Sequence, residues 1–336
     1  MNSPKTLSKQ RLPVPETGPE TIAKLLQRQR AFFNNGHTLD VAFRKSQLRM
    51  LLEALKAHEQ ELMDAMHADF RKPVFETYTT EVGFLEMELQ LTLKKLEKWA
   101  KPRRVSESWL NFPASSHIYS QPYGVALVIA PWNYPLQLAL NPLIGAMAAG
   151  NCAIVKPSEL APATSAVIAK LIGTTFDPAY VAAVEGGVST NRHLLAQRFD
   201  YIFFTGSTQV GRVVMKAAAE HLTPVTLELG GKSPAIVAED ADLGLTARRI
   251  AWGKFMNAGQ TCVAPDYVLV QEQVKDEFIE QLRTAITQFY GADPEASPDF
   301  ARIINDRHFK RLSAYLQDGL VRIGGQTNPA NRYIAP

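Results

Sequence analysis

Cysteine is nearly absent from this sequence. The two that occur, Cys152 and Cys262, lie too far apart to form a motif, and a chain of 336 residues needs no disulfide staple. A reducing compartment, the cytoplasm, is the expectation. No stretch approaches the roughly 20 apolar residues of a membrane-spanning helix. The first eighteen residues are polar, carry three prolines and lack the apolar run of a secretory leader, so 1–18 reads as a disordered extension. An excess of one charge is missing too: a formal net charge of +3, spread along the chain, points to neither nucleic acid nor a membrane surface. The basic run Lys101-Pro102-Arg103-Arg104 reads as a solvated helix end. The seven histidines, His37, His58, His67, His117, His193, His221 and His308, pair at no ligand spacing, and no metal is expected. Internal repeats and low-complexity segments are absent.

What is present is the composition of a soluble globular enzyme, 46% hydrophobic and 21% charged, long enough for two cores. From about 20 to 100 the pattern is helical. Leu48, Leu51, Leu52 and Leu55 fall on one helix face, and Val82, Leu85, Leu89, Leu93 and Leu96 on another, which makes both segments packing elements. A polar and aromatic stretch rich in turn residues follows, an extended excursion ending at Pro122.

Beyond it, short β-branched runs at Val125 to Ala130, Cys152 to Val155, Tyr180 to Val184 and Tyr201 to Phe204 alternate with helical segments near 136–149, 161–174 and 190–198. Strands buried on both faces and joined by helices predict an α/β fold with a Rossmann-like parallel sheet. Pro224 to Leu229 and Ala235 to Val237 begin a second α/β unit. It continues with helices near 241–257 and 275–290 around a strand at Tyr267 to Val270.

Some residue patterns carry chemistry. Cys262 closes Phe255-Met256-Asn257-Ala258-Gly259-Gln260-Thr261-Cys262, and Glu228 opens onto Gly230 and Gly231. A thiol can form a covalent intermediate, which needs its thiolate form, and a carboxylate near a strand end can be desolvated into a useful general base. Taken singly, a lone cysteine is more often inert and a strand-end glutamate more often faces water. Cys152, inside a buried strand, is assigned to packing. Asn133 offers a neutral donor for a developing oxyanion, or simply shapes a turn. Phe204-Thr205-Gly206-Ser207-Thr208-Gln209-Val210-Gly211 follows a strand and opens a helix, where glycines and free N–H groups can receive a pyrophosphate. Its Gly-x-x-x-x-Gly spacing is by itself weak evidence. Lys156 and Glu159, at the end of the second strand, could hold ribose hydroxyls or form a surface ion pair.

Pro131-Trp132-Asn133-Tyr134-Pro135, Phe204-Thr205-Gly206-Ser207, Leu227-Glu228-Leu229-Gly230-Gly231-Lys232 and the segment ending at Cys262 stand in the order of the NAD(P)-dependent aldehyde dehydrogenase superfamily, which this chain closely resembles. The likeness runs from about residue 20 onward. It is greatest to the class 3 branch, whose substrates are fatty, aromatic and other medium to long aldehydes.

The resemblance implies oxidation of an aldehyde to the carboxylic acid. Cys262 is the nucleophile, Glu228 the base for the deacylating water, and Asn133 with the Cys262 N–H the oxyanion hole. Thr205, Gly206, Ser207, Val210 and Gly211 face the cofactor, and Lys156 and Glu159 the adenine ribose. A carboxylate at the 2′-position leans toward NAD, with NADP also open.

The implied organisation is a cofactor domain of 19–103 and 122–227, a bridging hairpin of 104–121 for contacts in a homodimer, and a catalytic domain of 228–336. A further hundred or so residues are expected in a complete catalytic domain, so its C-terminal part reads as missing. A non-catalytic cofactor-binding remnant is the alternative. A CoA-acylating relative is a weaker one, because such enzymes typically lack a base at the position of Glu228.

Overall fold

The computed structural model describes residues 14–336. The helical region begins with α1 (Pro19–Asn34), whose proline sits in the first turn, where a missing N–H is harmless. It continues through α2 (Val41–Ala57), α3 (Glu59–Phe70) and α4 (Val74–Thr77), then a π-turn over Tyr78–Val82 and α5 (Gly83–Ala100). Asp40 caps α2 by accepting from the Ala42 N–H at 2.9 Å, a partner for one of the four N–H groups a helix start leaves free. Leu48, Leu51 and Leu55 on α2 and Leu85 and Leu89 on α5 are fully buried, as their spacing predicts.

The helix α5 stops at Ala100, before Pro102, and the chain turns into a hairpin of β1 (Arg103–Val105) and β2 (Ser116–Ile118) with Arg104 opposite His117. Arg103 and Arg104 are therefore exposed strand residues, and the reading of this run as a helix end is corrected. The proline two residues past the helix end decides it, because its ring disfavours helix in the residue before it.

The alternating region folds as β3 (Val125–Ile129), α6 (Gln137–Ala149), β4 (Cys152–Lys156), α7 (Pro162–Thr175), β5 (Val181–Ala183), α8 (Val188–Leu195), β6 (Tyr201–Thr205), α9 (Thr208–Ala219) and β7 (Val225–Glu228). Its five strands are parallel in the order β5-β4-β3-β6-β7. Every residue of β3 and β4 is buried, which is why their sequences read as unbroken apolar runs. The chain builds outward from β3 to one side and then crosses to β6 on the other. That places a topological switch point between the carboxyl ends of β3 and β6, where open α/β sheets bind ligands.

Beyond the sheet come β8 (Ala235–Val237), α10 (Leu243–Phe255), β9 (Val268–Val270), α11 (Lys275–Tyr290), α12 (Asp306–Ala314), β10 (Thr327–Asn328) and β11 (Tyr333–Ile334). The strands β8 and β9 pair in parallel, and β10 and β11 pair antiparallel. Small cores around Phe278 and around Tyr290, Phe300 and Tyr333 hold this region. Sequence periodicity did not reveal α12, whose polar turns bury only Phe309. Among the described residues no helix is long and apolar enough to cross a membrane.

Residues 1–13 of the stretch read as a disordered extension lie outside the described residues. Val14 to Gly18 contradict that reading, because Glu16 and Thr17 hydrogen-bond to the segment from Glu185 to Thr190. Those partners are remote in sequence, and local composition carries no trace of them.

Leu127, fully buried in the central strand β3, and Leu227, half-buried on the edge strand β7, test this layering. Leu127→Ala is expected to cost about 2–5 kcal/mol and Leu227→Ala less than half as much, read from urea unfolding midpoints. Equal losses would contradict the layering.

Candidate active site at the switch point of the sheet

The loop leaving β3 carries Pro131, Trp132 and Asn133, and β6 ends at Thr205 with Gly206 and Ser207 beyond it. Both line a cavity of about 600 Å³, which the turn from Ala258 to Cys262 also lines. The site is therefore assembled by topology: residues from β3, β6 and the region after α10 converge although far apart in sequence.

The turn before Cys262 has an unusual backbone. Asn257, Ala258 and Gly259 have φ of 55°, 51° and 77°, three successive residues in the left-handed region. Glycine adopts it freely and asparagine tolerates it, whereas alanine there costs about 1–2 kcal/mol. Surrounding hydrogen bonds hold the turn in this shape. The Glu76 carboxylate, nearly buried, accepts from the Asn257 N–H at 2.8 Å. The Asn257 side chain donates to the Asn133 carbonyl at 2.7 Å, and Asn133 Nδ2 donates to the Gln260 carbonyl at 2.9 Å. The Gln260 amide donates to the Asn257 and Arg302 carbonyls, each at 3.0 Å, and its oxygen accepts from the Ile304 N–H at 3.0 Å. Cys262, which follows at once, is exposed at the cavity. The Tyr134 hydroxyl bonds Thr261 Oγ1 at 2.6 Å, and burial pushes this phenol up to about 12, so it remains protonated.

A second layer of buried charge supports the Asn133 loop. Lys72 and Glu81 form a fully buried ion pair, and the other Glu81 oxygen accepts from the N–H groups of Leu136 at 2.8 Å and Gln137 at 3.1 Å, the entry to α6. The Lys72 ammonium also lies over the Tyr134 ring, 4.0 Å from its centroid.

Glu228 ends β7 in register with Thr205, and its carbonyl accepts from the Gly206 N–H at 2.9 Å. Gly231 brings this segment against the turn at Cys262: a Cβ there would lie 3.0 Å from the Cys262 carbonyl oxygen. The Glu228 side chain is exposed and outside the cavity lining, so the desolvated setting read from its sequence context is corrected. It sits at the open end of an edge strand, where little covers it.

On the cofactor side, Ser207 caps α9 by accepting from the Val210 N–H at 3.3 Å. Gly211 lets α9 approach β7, since a Cβ there would meet Leu229 at 2.9 Å; Val210 points outward and is exposed. Lys156 is buried at the end of β4 and pairs with Glu159 at 2.5 Å, away from the cavity lining. The cavity thus unites Asn133, Cys262, Thr205, Gly206 and Ser207, while Lys156 and Glu159 stand on the far side of the switch point. Cys152 is fully buried, and burial pushes its thiol up to about 12, the setting of an inert packing residue.

Sequence reading missed Glu76, Lys72, Glu81, Gln260 and the half-buried Lys254, which is among the lining residues and whose pKa burial pulls down. The one available signal was the cluster of three charged residues, Lys72, Glu76 and Glu81, between two helices with apolar faces.

Burial pushes Glu76 from 4.5 up to about 7, against the pull of the Asn257 N–H and Lys72. A carboxyl raised by folding stabilises the fold in its protonated form. That contribution is complete below its unfolded value and is lost as pH rises through about 7. Glu76→Gln keeps an acceptor for Asn257 and is expected to lose less stability than the parent between about pH 5 and pH 8. Urea midpoints at both ends check this, and parallel declines in the two proteins would contradict it.

The model of the aldehyde dehydrogenase family matches residues 3–333. Aldehyde dehydrogenase family 3 member B1 of Rattus norvegicus is 46% identical over 311 residues, which cover 93% of this chain and 66% of that protein. The dimeric NADP-preferring aldehyde dehydrogenase of Canis lupus familiaris is 44% identical, over 94% of this chain and 70% of that protein. A solved structure described as the substrate-bound state of Staphylococcus aureus AldH superposes with a TM-score of 0.92 at 46% identity. That match covers 94% of this chain and 69% of that one. The chain thus spans about two thirds of the length of these relatives. With the crevice at the switch point, the turn before Cys262 and these matches in agreement, the chain belongs to the aldehyde dehydrogenase family, within its class 3 branch.

Proposed function

We propose that the protein oxidises an aldehyde to the carboxylic acid with NAD(P)⁺ as hydride acceptor, through a covalent intermediate on Cys262. The observation that carries this reading is the 2.9 Å hydrogen bond from Asn133 Nδ2 to the Gln260 carbonyl. It holds a carboxamide donor against the turn bearing the thiol, in the cavity that also reaches Thr205 to Ser207. The Cys262 thiolate attacks the aldehyde carbon, a C–S bond forms, and the carbonyl π electrons become an oxyanion. The second N–H of the Asn133 amide and the Cys262 N–H are the donors for that charge. When bound, NAD(P)⁺ supplies the two-electron acceptor that takes the hydride from the former aldehyde carbon. The resulting thioester is attacked by water, whose proton passes to the Glu228 carboxylate, and the thiolate departs as the acid is released. For this step the Glu228 side chain would turn from its exposed position into the cavity, which the following Gly230 and Gly231 line.

The residues fit such a cofactor. Thr205 Oγ1, buried at the cavity and without a hydrogen-bond partner among the described residues, is a polar atom awaiting a ligand. The start of α9 at Ser207 would receive the pyrophosphate, with Gly206 allowing its close approach; the exposed Val210 would lie against the cofactor, and Gly211 sets α9 against Leu229. Lys156 and Glu159 would hold the adenine-ribose hydroxyls.

The same reading assigns 19–103 and 122–227 to cofactor binding and 228–336 to catalysis. It assigns the hairpin region 104–121 to a homodimer contact, supported by the exposed Trp109, Leu110 and Phe112. An exposed thiol suits a reducing cytoplasm.

Cys262→Ala is expected to lower NADH formation from a medium-chain or aromatic aldehyde by more than about 1,000-fold while NAD⁺ still binds. Asn133→Ala is expected to lower kcat by about 100- to 1,000-fold. Steady-state kinetics with a parallel NAD⁺ titration measures both. Appreciable turnover by Cys262→Ala would overturn the covalent route.

A further inference from the structure

The first described residues of the chain are fastened beside the proposed ribose site. One Glu16 carboxylate oxygen accepts from the Thr190 N–H at 3.0 Å and from Thr190 Oγ1 at 2.6 Å; the other accepts from the Gly187 N–H at 3.1 Å. Thr17 secures the strap, its N–H donating to Thr190 Oγ1 at 2.9 Å and its hydroxyl to the Glu185 carbonyl at 2.7 Å. All the partners lie between β5 and the first turn of α8. These hydrogen bonds, with a contribution from the nearby Lys156, hold the Glu16 carboxyl below its usual range, so it carries a full charge at neutral pH.

The strap requires two glycines. A Cβ on Gly186, whose φ is 145°, would lie 2.0 Å from Thr190 Oγ1 and 2.9 Å from Glu16 Oε2. A Cβ on Gly187 would lie 3.0 Å from Glu16 Oε1 and 3.7 Å from Glu159 Cγ. Glu16 and Glu159 therefore flank the same face of Gly187, and Glu159 is already paired with the buried Lys156. Two carboxylates and one paired lysine thus gather beside Gly187.

A ribose with a free 2′-hydroxyl needs acceptors, and carboxylates supply them. A 2′-phosphate needs N–H donors and cations. Four local donors are engaged by carboxylates: the Gly187 and Thr190 N–H groups, the Thr190 hydroxyl and Lys156. The first three are taken by Glu16 and the last by Glu159. We infer that Glu16 is a specificity-determining residue that sets this protein's preference for NAD over NADP, by filling the anion-binding start of α8 with the chain's own carboxylate. The inference rests on Lys156 and Glu159 as the ribose-binding pair, and it adds to them a residue from a segment outside the α/β sheet unit.

The test is the ratio of dissociation constants for NADP⁺ and NAD⁺, from fluorescence titration of the parent, Glu16→Gln and Glu16→Ala. Adenosine 2′,5′-bisphosphate and AMP serve as competitors that isolate the adenosine end. Glu16→Gln removes the charge and keeps one of the two acceptor oxygens, whereas Glu16→Ala removes the strap's acceptors altogether, so the pair grades loss of charge against loss of the strap. The parent is expected to bind NAD⁺ more tightly. Both variants are expected to shift the ratio toward NADP⁺ by about tenfold, with the same trend for the bisphosphate over AMP, as loss of a like charge near a phosphate implies. An unchanged ratio in both variants, with cofactors still bound, would overturn the role of Glu16 and leave the ribose assignment standing. Failure of the parent to bind either cofactor or either competitor would overturn the ribose assignment and the role of Glu16 together.

Discussion

Two hydrogen bonds tie the loop after β3 to the turn before Cys262, and the geometry of the site follows from them. Asn133 donates through its side chain to Gln260 and accepts through its carbonyl from Asn257, so the candidate oxyanion donor and the candidate nucleophile are fixed to each other. They line one crevice, at a position set by strand order. A parallel sheet that builds outward from β3 and then crosses to β6 leaves the strand ends diverging at that point. The turn itself is strained at Ala258, and Glu76 and Gln260 keep it from relaxing. Backbone strain of this kind persists only where surrounding bonds hold it.

Buried charge is the cost of this arrangement. Glu76, Glu81 and Lys72 are withdrawn from water behind the cavity, and each is offset by specific partners. A fully buried pair such as Lys72 and Glu81 is weak evidence for stability, since apolar groups of the same shape can do as well. Its value here is positional. Glu81 caps the entry to α6 while Lys72 lies against Tyr134, so one ion pair orients both flanks of the Asn133 loop. Glu76 does the corresponding work for the turn before Cys262, and burial leaves its carboxyl at about 7, partly protonated at neutral pH.

The sheet was legible in the sequence because β3 and β4 are buried on both faces and their residues, Val125 to Ile129 and Cys152 to Lys156, announce this as apolar runs. The segment ending at Cys262 stood out for a different reason: its resemblance to the aldehyde dehydrogenase superfamily singled it out, where a lone cysteine by itself reads as inert. Three features were hidden, each from non-local causes. Glu76 and Glu81 sit among helical residues where charge normally means exposure, and only the tertiary fold encloses them. Glu16 lies in a proline-containing stretch with no periodicity, and its partner Thr190 is 174 residues away. The exposure of Glu228 follows from its place on an edge strand, and edge position is a property of pairing rather than of the residues themselves.

The central claim is that Cys262 forms and loses an acyl bond while Glu228 activates the water that breaks it. The most direct measurement is intact-protein and peptide mass spectrometry on Glu228→Gln, mixed with an aldehyde and NAD⁺ and quenched in acid. The account predicts about one NADH per site, formed in a single burst, and an acyl adduct of matching mass on the peptide containing Cys262. Absence of any adduct, or an adduct confined to Cys152, would contradict it.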